Sequence, residues 1–249
     1  MPLGLFITSE PLLIGDLFVN SYIIKFINST NLNMASTTLD NKIKLNLGCG
    51  GRPLEGYVNV DFDTLDQIKS RYPVDTFSKN ITEVYQYDIF NLPFENGSVQ
   101  EVRTDSMIEH LSFPEEPKFF REVDRVLSPG GLLSFATPDF EEVVKIWLNA
   151  KDDWKDFYRS DDEAIKSQHW FGNNSFSLDN RWGYLTAALY GPQNSEGQFH
   201  KNCYTEEKII AIMRHLKFEE PSISRFFWKN TALPMLQVNV NKASKLSNV

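Results

Sequence analysis

Four groups of residues have the types and spacing to do chemistry. The first is the turn Gly48-Cys49-Gly50-Gly51, which follows the apolar run ending at Leu47, with Asp61 a short way downstream. A glycine turn after a strand lets a ligand approach the backbone closely, and an acid at the end of the next strand accepts hydrogen bonds from ribose hydroxyls. The turn has neither the third glycine of a dinucleotide fingerprint nor the Lys-Ser/Thr of a phosphate loop, so it favours a nucleoside without a polyphosphate. The second group is a pair of acidic positions, Asp88 (followed by Ile89) and Asp105 (followed by Ser106), each at the end of a short β-like run. The third is three histidines: His110 just beyond Asp105, His200 in the segment Gly197-Gln198-Phe199-His200-Lys201, and His169 beside Trp170 and Phe171. Histidine is the side chain suited to moving a proton near neutral pH. The fourth is a set of aromatic residues, Trp170, Phe171, Trp182, Tyr184 and Tyr190, able to stack on a flat acceptor or to form a small core of their own.

The elements that must position these residues follow from the pattern of apolar positions. Lys42 to Leu47 reads as a first strand and Tyr57 to Val60 as a second, with Val84 to Tyr87 and Val99 to Arg103 as the third and fourth. Pro114 to Leu127 carries Phe119, Phe120, Val123, Val126 and Leu127 at helical spacing, and Pro129-Gly130-Gly131 stops it. Leu132 to Ala136 is a buried strand, and helices are expected over Phe140 to Asn149 and over Thr205 to Leu216, the latter capped by Thr205. Ser222 to Trp228 and Leu233 to Val240 read as a closing hairpin. Strands alternating with helices predict an α/β, doubly wound, mostly parallel sheet with an antiparallel edge strand. Between about 151 and 201 the pattern gives way to polar, aromatic and Gly/Asn-rich sequence, read as an inserted lid over the ligand end of the sheet.

Composition narrows the class of partner. With 33 acidic against 25 basic residues and a net charge of -8, affinity gained by neutralising nucleic-acid phosphates is disfavoured, and a small-molecule acceptor fits better. Cys49 and Cys203 cannot build a disulfide framework and lack the spacing of a zinc site, which suits reduced thiols in a cytoplasmic protein. Residues 1–40 hold apolar clusters interrupted by Glu10, Asp16 and Lys25, too short to span a bilayer, and are read as an N-terminal extension that caps the core or pairs two subunits as a homodimer. The main domain would then occupy 41–249.

Leu45-Asn46-Leu47-Gly48-Cys49-Gly50 resembles the first motif of the class I S-adenosylmethionine-dependent methyltransferases, and the succession continues in order. Asp61 resembles their ribose-binding acid. Asp88-Ile89, followed by Asn91-Leu92-Pro93-Phe94, resembles the segment whose acid reads the adenine amino group, and Arg125-Val126-Leu127 with Pro129-Gly130-Gly131 resembles the lead-in to the fifth strand. The resemblance implies a Rossmann-like fold with S-adenosyl-L-methionine held by Leu47, Gly48, Cys49, Gly50, Asp61, Asp88, Ile89, Asp105 and Ser106. More narrowly, Gly51 to Asp61 and Gly197 to Lys201 resemble bacterial predicted methyltransferases associated with surface-polysaccharide and sugar biosynthesis, in which the helix between the first two strands shrinks to a turn.

A sulfonium already makes its methyl group electrophilic, so the protein must align an acceptor lone pair and, for a hydroxyl, deal with its proton. His110 and His200 are the catalytic candidates, with His169, Trp170 and Tyr190 as acceptor contacts. The resemblance makes a sugar or sugar-nucleotide hydroxyl the first expectation. An amine or carboxylate of a specialised metabolite is a second, and a nucleoside-binding module without turnover a third. Thr104-Asp105-Ser106-Met107 stands where amino methylases of DNA bases carry Asn/Asp-Pro-Pro-Tyr/Phe, which argues against that activity. Glu109-His110 with His200 could hold a divalent ion, but two adjacent ligands and one distant in sequence are a thin signal, and no metal is expected.

Overall fold

The computed structural model describes residues 42–71, 80, 81, 83–152, 178–193, 196–228 and 232–244. The proposed extension over 1–40 and most of the lid, including His169, Trp170 and Phe171, lie outside the described residues. Among the described residues six strands form one sheet: β1 (Ile43–Leu47), β2 (Val58–Val60), β3 (Val99–Asp105), β4 (Leu127–Pro138), β5 (Ser222–Trp228) and β6 (Leu233–Asn241), in the order β2-β1-β3-β4-β6-β5. β1 runs parallel to β2 and β3, and β3 parallel to β4, while β6 is antiparallel to both β4 and β5. The antiparallel strand is therefore second from the edge and β5 lies outside it.

Helices α1 (Leu65–Arg71), α2 (Glu116–Val126), α3 (Phe140–Asn149), α4 (Tyr184–Tyr190) and α5 (Glu206–His215) complete the described elements, with short 3-10 turns at Ile108–His110 and Glu196–Gln198. Side chains alternate between the faces of a strand, and β6 displays this directly. Leu236, Val238 and Val240 join the larger core with Leu45, Leu47, Val102, Leu133 and Phe135, packed against Phe119, Phe120 and Val123 of α2 and Ile209 and Met213 of α5. Leu233 and Met235 turn to a second core with Val143 of α3 and Leu185 and Ala188 of α4. The sheet is covered on both faces, as the doubly wound reading requires.

Helix starts follow local chemistry. Thr205 accepts from the Lys208 amide at 3.3 Å and Glu206 and Glu207 occupy the first turn of α5, which favours anionic side chains at a helix N-terminus. Asp139 caps α3 through the Glu142 amide and also takes the Arg225 guanidinium at 2.9 Å. Before α2, the Glu115 carboxylate accepts from the Ser112 amide at 2.7 Å, while the amides of Glu115 and Glu116 donate to the Ser112 carbonyl. The chain thus turns at 112–115 and the helix proper begins two residues after the predicted Pro114 start.

Two expectations need correction, and two helices go beyond them. Val84 to Tyr87 does not form a strand: it meets the sheet through a single parallel bridge, Val60 to Tyr85, because β2 offers only three residues to pair with. Pro129-Gly130-Gly131 does not separate helix from strand; β4 begins at Leu127 and carries these residues through a register irregularity opposite Val99 to Glu101. α1 was not anticipated, its apolar residues Leu65 and Ile68 being too few to show a period. Nor was α4, whose Tyr184-Leu185-Thr186-Ala187-Ala188-Leu189 sits inside the supposed lid and packs on α3.

Candidate functional site

The C-terminal ends of β1, β2, β3 and β4 share one edge of the sheet, the edge at which ligands enter open α/β folds. Beyond β1 the chain turns with Gly48 at φ 63° and Gly50 at φ 46°, conformations that a side chain resists. A Cβ on Gly48 would stand 2.4 Å from Cγ of Met107, so this glycine is demanded by contact as well as by torsion. The Gly50 amide donates to the Asp61 carboxylate at 2.7 Å, and the Asp63 amide donates to its other oxygen at 3.0 Å. Cys49 anchors the turn by donating its amide to the Val60 carbonyl at 3.1 Å. Burial, and secondarily the charge of Asp61, push the Cys49 thiol up to about 12, so it packs as a neutral group. Leu47 is fully buried and serves the core while its strand aims the turn.

Asp88 is exposed and caps its own loop, accepting from the Phe90 amide at 2.9 Å, with Ile89 half-buried beside it. The loop beyond is gripped from α2. Arg125 donates to the carbonyls of Leu92 and Phe94 and to the Asn96 side chain at 2.8 to 2.9 Å, while Glu122 binds Arg125 at 2.7 Å and takes the Leu92 amide at 2.5 Å. Two sequence motifs, Asn91-Leu92-Pro93-Phe94 and Arg125-Val126-Leu127, are thereby one physical unit.

Asp105 ends β3 with its Oδ2 held by Arg103 at 3.1 Å and its carbonyl by Arg52 at 3.2 Å; its Oδ1 is buried without a hydrogen-bond partner among the described residues. Arg52 also stacks on Trp228, 4.2 Å from the ring centroid. A cavity of about 350 Å³ opens here, lined among others by Asn46, Gly48, Cys49, Arg52 and Asp105. Ser106 follows at φ 54°, uncommon for a residue with a Cβ, and turns Met107 over Gly48.

The 3-10 turn at Ile108–His110 continues along the same edge. Glu109 is 2% exposed and receives Thr137 Oγ1 on its Oε2 at 3.3 Å. Its carbonyl accepts the amides of both Lys201 and Asn202, at 2.9 and 3.1 Å, strapping the segment that carries His200 against the turn that carries His110. The two imidazoles meet edge to face with centroids 4.8 Å apart. His110 Nδ1 lies 3.0 Å from the Phe199 carbonyl and His200 Nδ1 3.0 Å from the Ala188 carbonyl. A carbonyl can only accept, so each Nδ1 carries its hydrogen and each ring keeps a lone pair on the other nitrogen. Burial lowers the His110 pKa, opposed by the Phe199 and Ser106 carbonyls; burial and then the proximity of His110 bring His200 down to about 4. Both rings are neutral at pH 7. Burial pushes the Glu109 carboxyl up to about 8.

The structure thus brings His110 and His200 together with Glu109, although 89 residues separate His110 from Phe199. Tyr190 contributes through its backbone, its carbonyl accepting the His200 amide at 3.0 Å, while its side chain is exposed. Gly191 makes that approach feasible, since a Cβ there would stand 1.9 Å from the Gln198 carbonyl oxygen. Trp182 and Tyr184 do not face the histidines: Trp182 meets Trp147 edge to face at 6.0 Å and Tyr184 packs in the second core. Two residues escaped the sequence reading. Arg52 was quoted only as part of a motif, and Phe62, 97% exposed next to Asp61, showed no periodicity to mark it.

A left-handed glycine turn, an acid taking the turn's amide, and acids at successive strand ends thus lie together at the edge where doubly wound folds take their ligands. Residues 45–135 match the family described as a methyltransferase domain. Over 109 residues the chain is 34% identical to a probable S-adenosylmethionine-dependent methyltransferase of Mycobacterium tuberculosis, covering 38% of this chain and 35% of that one. Over 62 residues it is 39% identical to an uncharacterized transposon protein of Streptomyces fradiae, covering 25% and 17%. The chain thus spans about a third or less of the length of these relatives. Among solved structures, a SAM-dependent methyltransferase from Archaeoglobus fulgidus superposes with a TM-score of 0.47 at 12% identity, covering 81% of this chain and 86% of that one. Among the described residues no helix is long and apolar enough to cross a membrane.

Proposed function

We propose that this chain is an S-adenosylmethionine-dependent methyltransferase acting on a hydroxyl of a small acceptor, a sugar or sugar nucleotide of glycan biosynthesis. The observation that carries the reading is the Gly48 to Gly50 turn with Asp61 folded onto it, within the segment that matches the methyltransferase domain. Asp61 takes the ribose hydroxyls, Phe62 offers a flat apolar surface to the adenine, and Asp88 with Ile89 bounds the base. Arg52 and Asp105, at the cavity beside Gly48, suit the carboxylate and ammonium of the methionine end. The sulfonium is then directed toward the edge where Ser106, His110 and His200 lie. The reaction needs little more from the protein than alignment and disposal of the hydroxyl proton, and His110 and His200 are the groups that bear on that hydroxyl.

The sugar assignment is supported by the sequence resemblance of Gly51 to Asp61 and Gly197 to Lys201, while the net charge of -8 disfavours a nucleic-acid acceptor. Incubating the chain with methyl-labelled S-adenosylmethionine and a panel of sugar nucleotides, amines and carboxylates, read by mass spectrometry, tests it. Label appearing on a sugar hydroxyl supports the assignment; label confined to an amine or carboxylate contradicts the acceptor, and no labelled product anywhere contradicts turnover.

A further inference from the structure

We propose that Glu109, His110 and His200 form a binding site for one divalent first-row transition ion, with the acceptor hydroxyl taking an open position on it. The inference rests on the methyl-transfer reading for its chemical purpose, not for its geometry. One ligand atom from each of the three residues lies within 4.8 Å of the other two. Two imidazoles and a carboxylate are a donor set shared by zinc, manganese and iron.

Three features go beyond proximity. Both histidines donate Nδ1–H to a backbone carbonyl, of Phe199 and of Ala188, the outer hydrogen bond that orients a ligating imidazole and leaves its second nitrogen able to coordinate. Glu109 is 2% exposed, no ion pair among the described residues reaches it, and its Oε2 is oriented by Thr137. A carboxylate so placed is costly unless a cation joins it. Finally, the amides of Lys201 and Asn202 on the Glu109 carbonyl, with Gly191 pressed against Gln198 and His200, fix the distant ligand to the adjacent pair. Ligands about 2.0 to 2.1 Å from a tetrahedral zinc stand roughly 3.4 Å apart, so closure asks for a movement of about 1 Å.

Coordination would acidify the acceptor hydroxyl, whose proton leaves to water. The oxygen then forms its bond to the methyl carbon as the carbon–sulfur bond breaks, the bonding pair staying on sulfur and leaving a neutral thioether. Exposed His215 at the end of α5 takes no part and serves as a control.

The test is titration of the chelator-stripped chain with Co2+, read by ligand-field absorption, and with Zn2+ by calorimetry. One ion per chain is expected, weakened at least about tenfold in His200→Ala and in Glu109→Gln and unchanged in His215→Ala. Near-UV circular dichroism confirms folding, and Glu109→Gln, which keeps the side-chain volume, carries the test if His200→Ala does not fold. Absence of binding, or binding that neither variant weakens, overturns the site. Titrating the same stripped protein with S-adenosylhomocysteine separates the two readings: nucleoside binding without metal binding overturns the metal site alone, and metal binding without nucleoside binding overturns the cofactor reading alone.

Discussion

Side chains beside Asp61 are the ones that the proposed nucleoside would meet first. Phe62 leaves nearly all of its ring exposed, a flat apolar face beside Asp61 that a base could cover. Stacking on an aromatic face contributes about 1 kcal/mol, so Phe62→Ala should weaken S-adenosylhomocysteine roughly fivefold by calorimetry and leave thermal stability unchanged. An unaltered affinity would place the adenine elsewhere. The residue scale is also where the sequence was most legible. Gly48, Gly50 and Asp61 announce themselves because φ above zero and an acceptor for the turn's amide demand particular residue types. Arg52 did not, because an arginine after a glycine turn has no required role until Asp105 and Trp228 are seen around it.

At the scale of elements, the loop after Asp88 depends on α2. Arg125 spans three of its acceptors and is itself neutralised by Glu122, whose carboxyl is held below the usual range by Arg125 first and the Leu92 amide as well, against its partial burial. Hydrogen bonds to charged groups contribute about 1.5 to 3 kcal/mol. Arg125→Ala should therefore lower unfolding free energy by about 2 kcal/mol in urea titration and weaken the nucleoside through the loosened loop, and Glu122→Gln should do less. Because the folded pKa of Glu122 is depressed, its contribution is present above the unfolded carboxyl value near 4.5 and is lost as pH falls through the lower folded value. The stability difference between the intact chain and Glu122→Gln should accordingly shrink on acidification below about pH 4.5. A difference independent of pH would show that packing, not charge, holds the loop.

Most elements were readable because each had its own period: α2, α3, α5 and the β5–β6 hairpin all lie within a few residues of their predicted bounds. The third strand was misread because Val84 to Tyr87 has strand composition while pairing depends on a neighbour, and three-residue β2 leaves room for one bridge. α4 was missed because its context, rich in Gly and Asn, resembles a loop until α3 supplies an apolar face.

For the whole molecule, the mostly parallel sheet fixes what the separate motifs mean. Strand ends of β1, β2, β3 and β4 converge on one edge, and residues dispersed from Gly48 to His200 are gathered along it. The meeting of His110 and His200 is only a thin signal in the sequence, since it needs α4 to return the chain and Gly191 to admit Gln198. The proposed nucleoside site at this edge is tested most directly by calorimetric titration with S-adenosylhomocysteine of the intact chain and of Asp61→Ala. The account predicts saturable one-to-one binding, weakened at least about thirtyfold in the variant by loss of about 2 kcal/mol of charged hydrogen bonding. No binding by the intact chain, or equal binding by both, would contradict it.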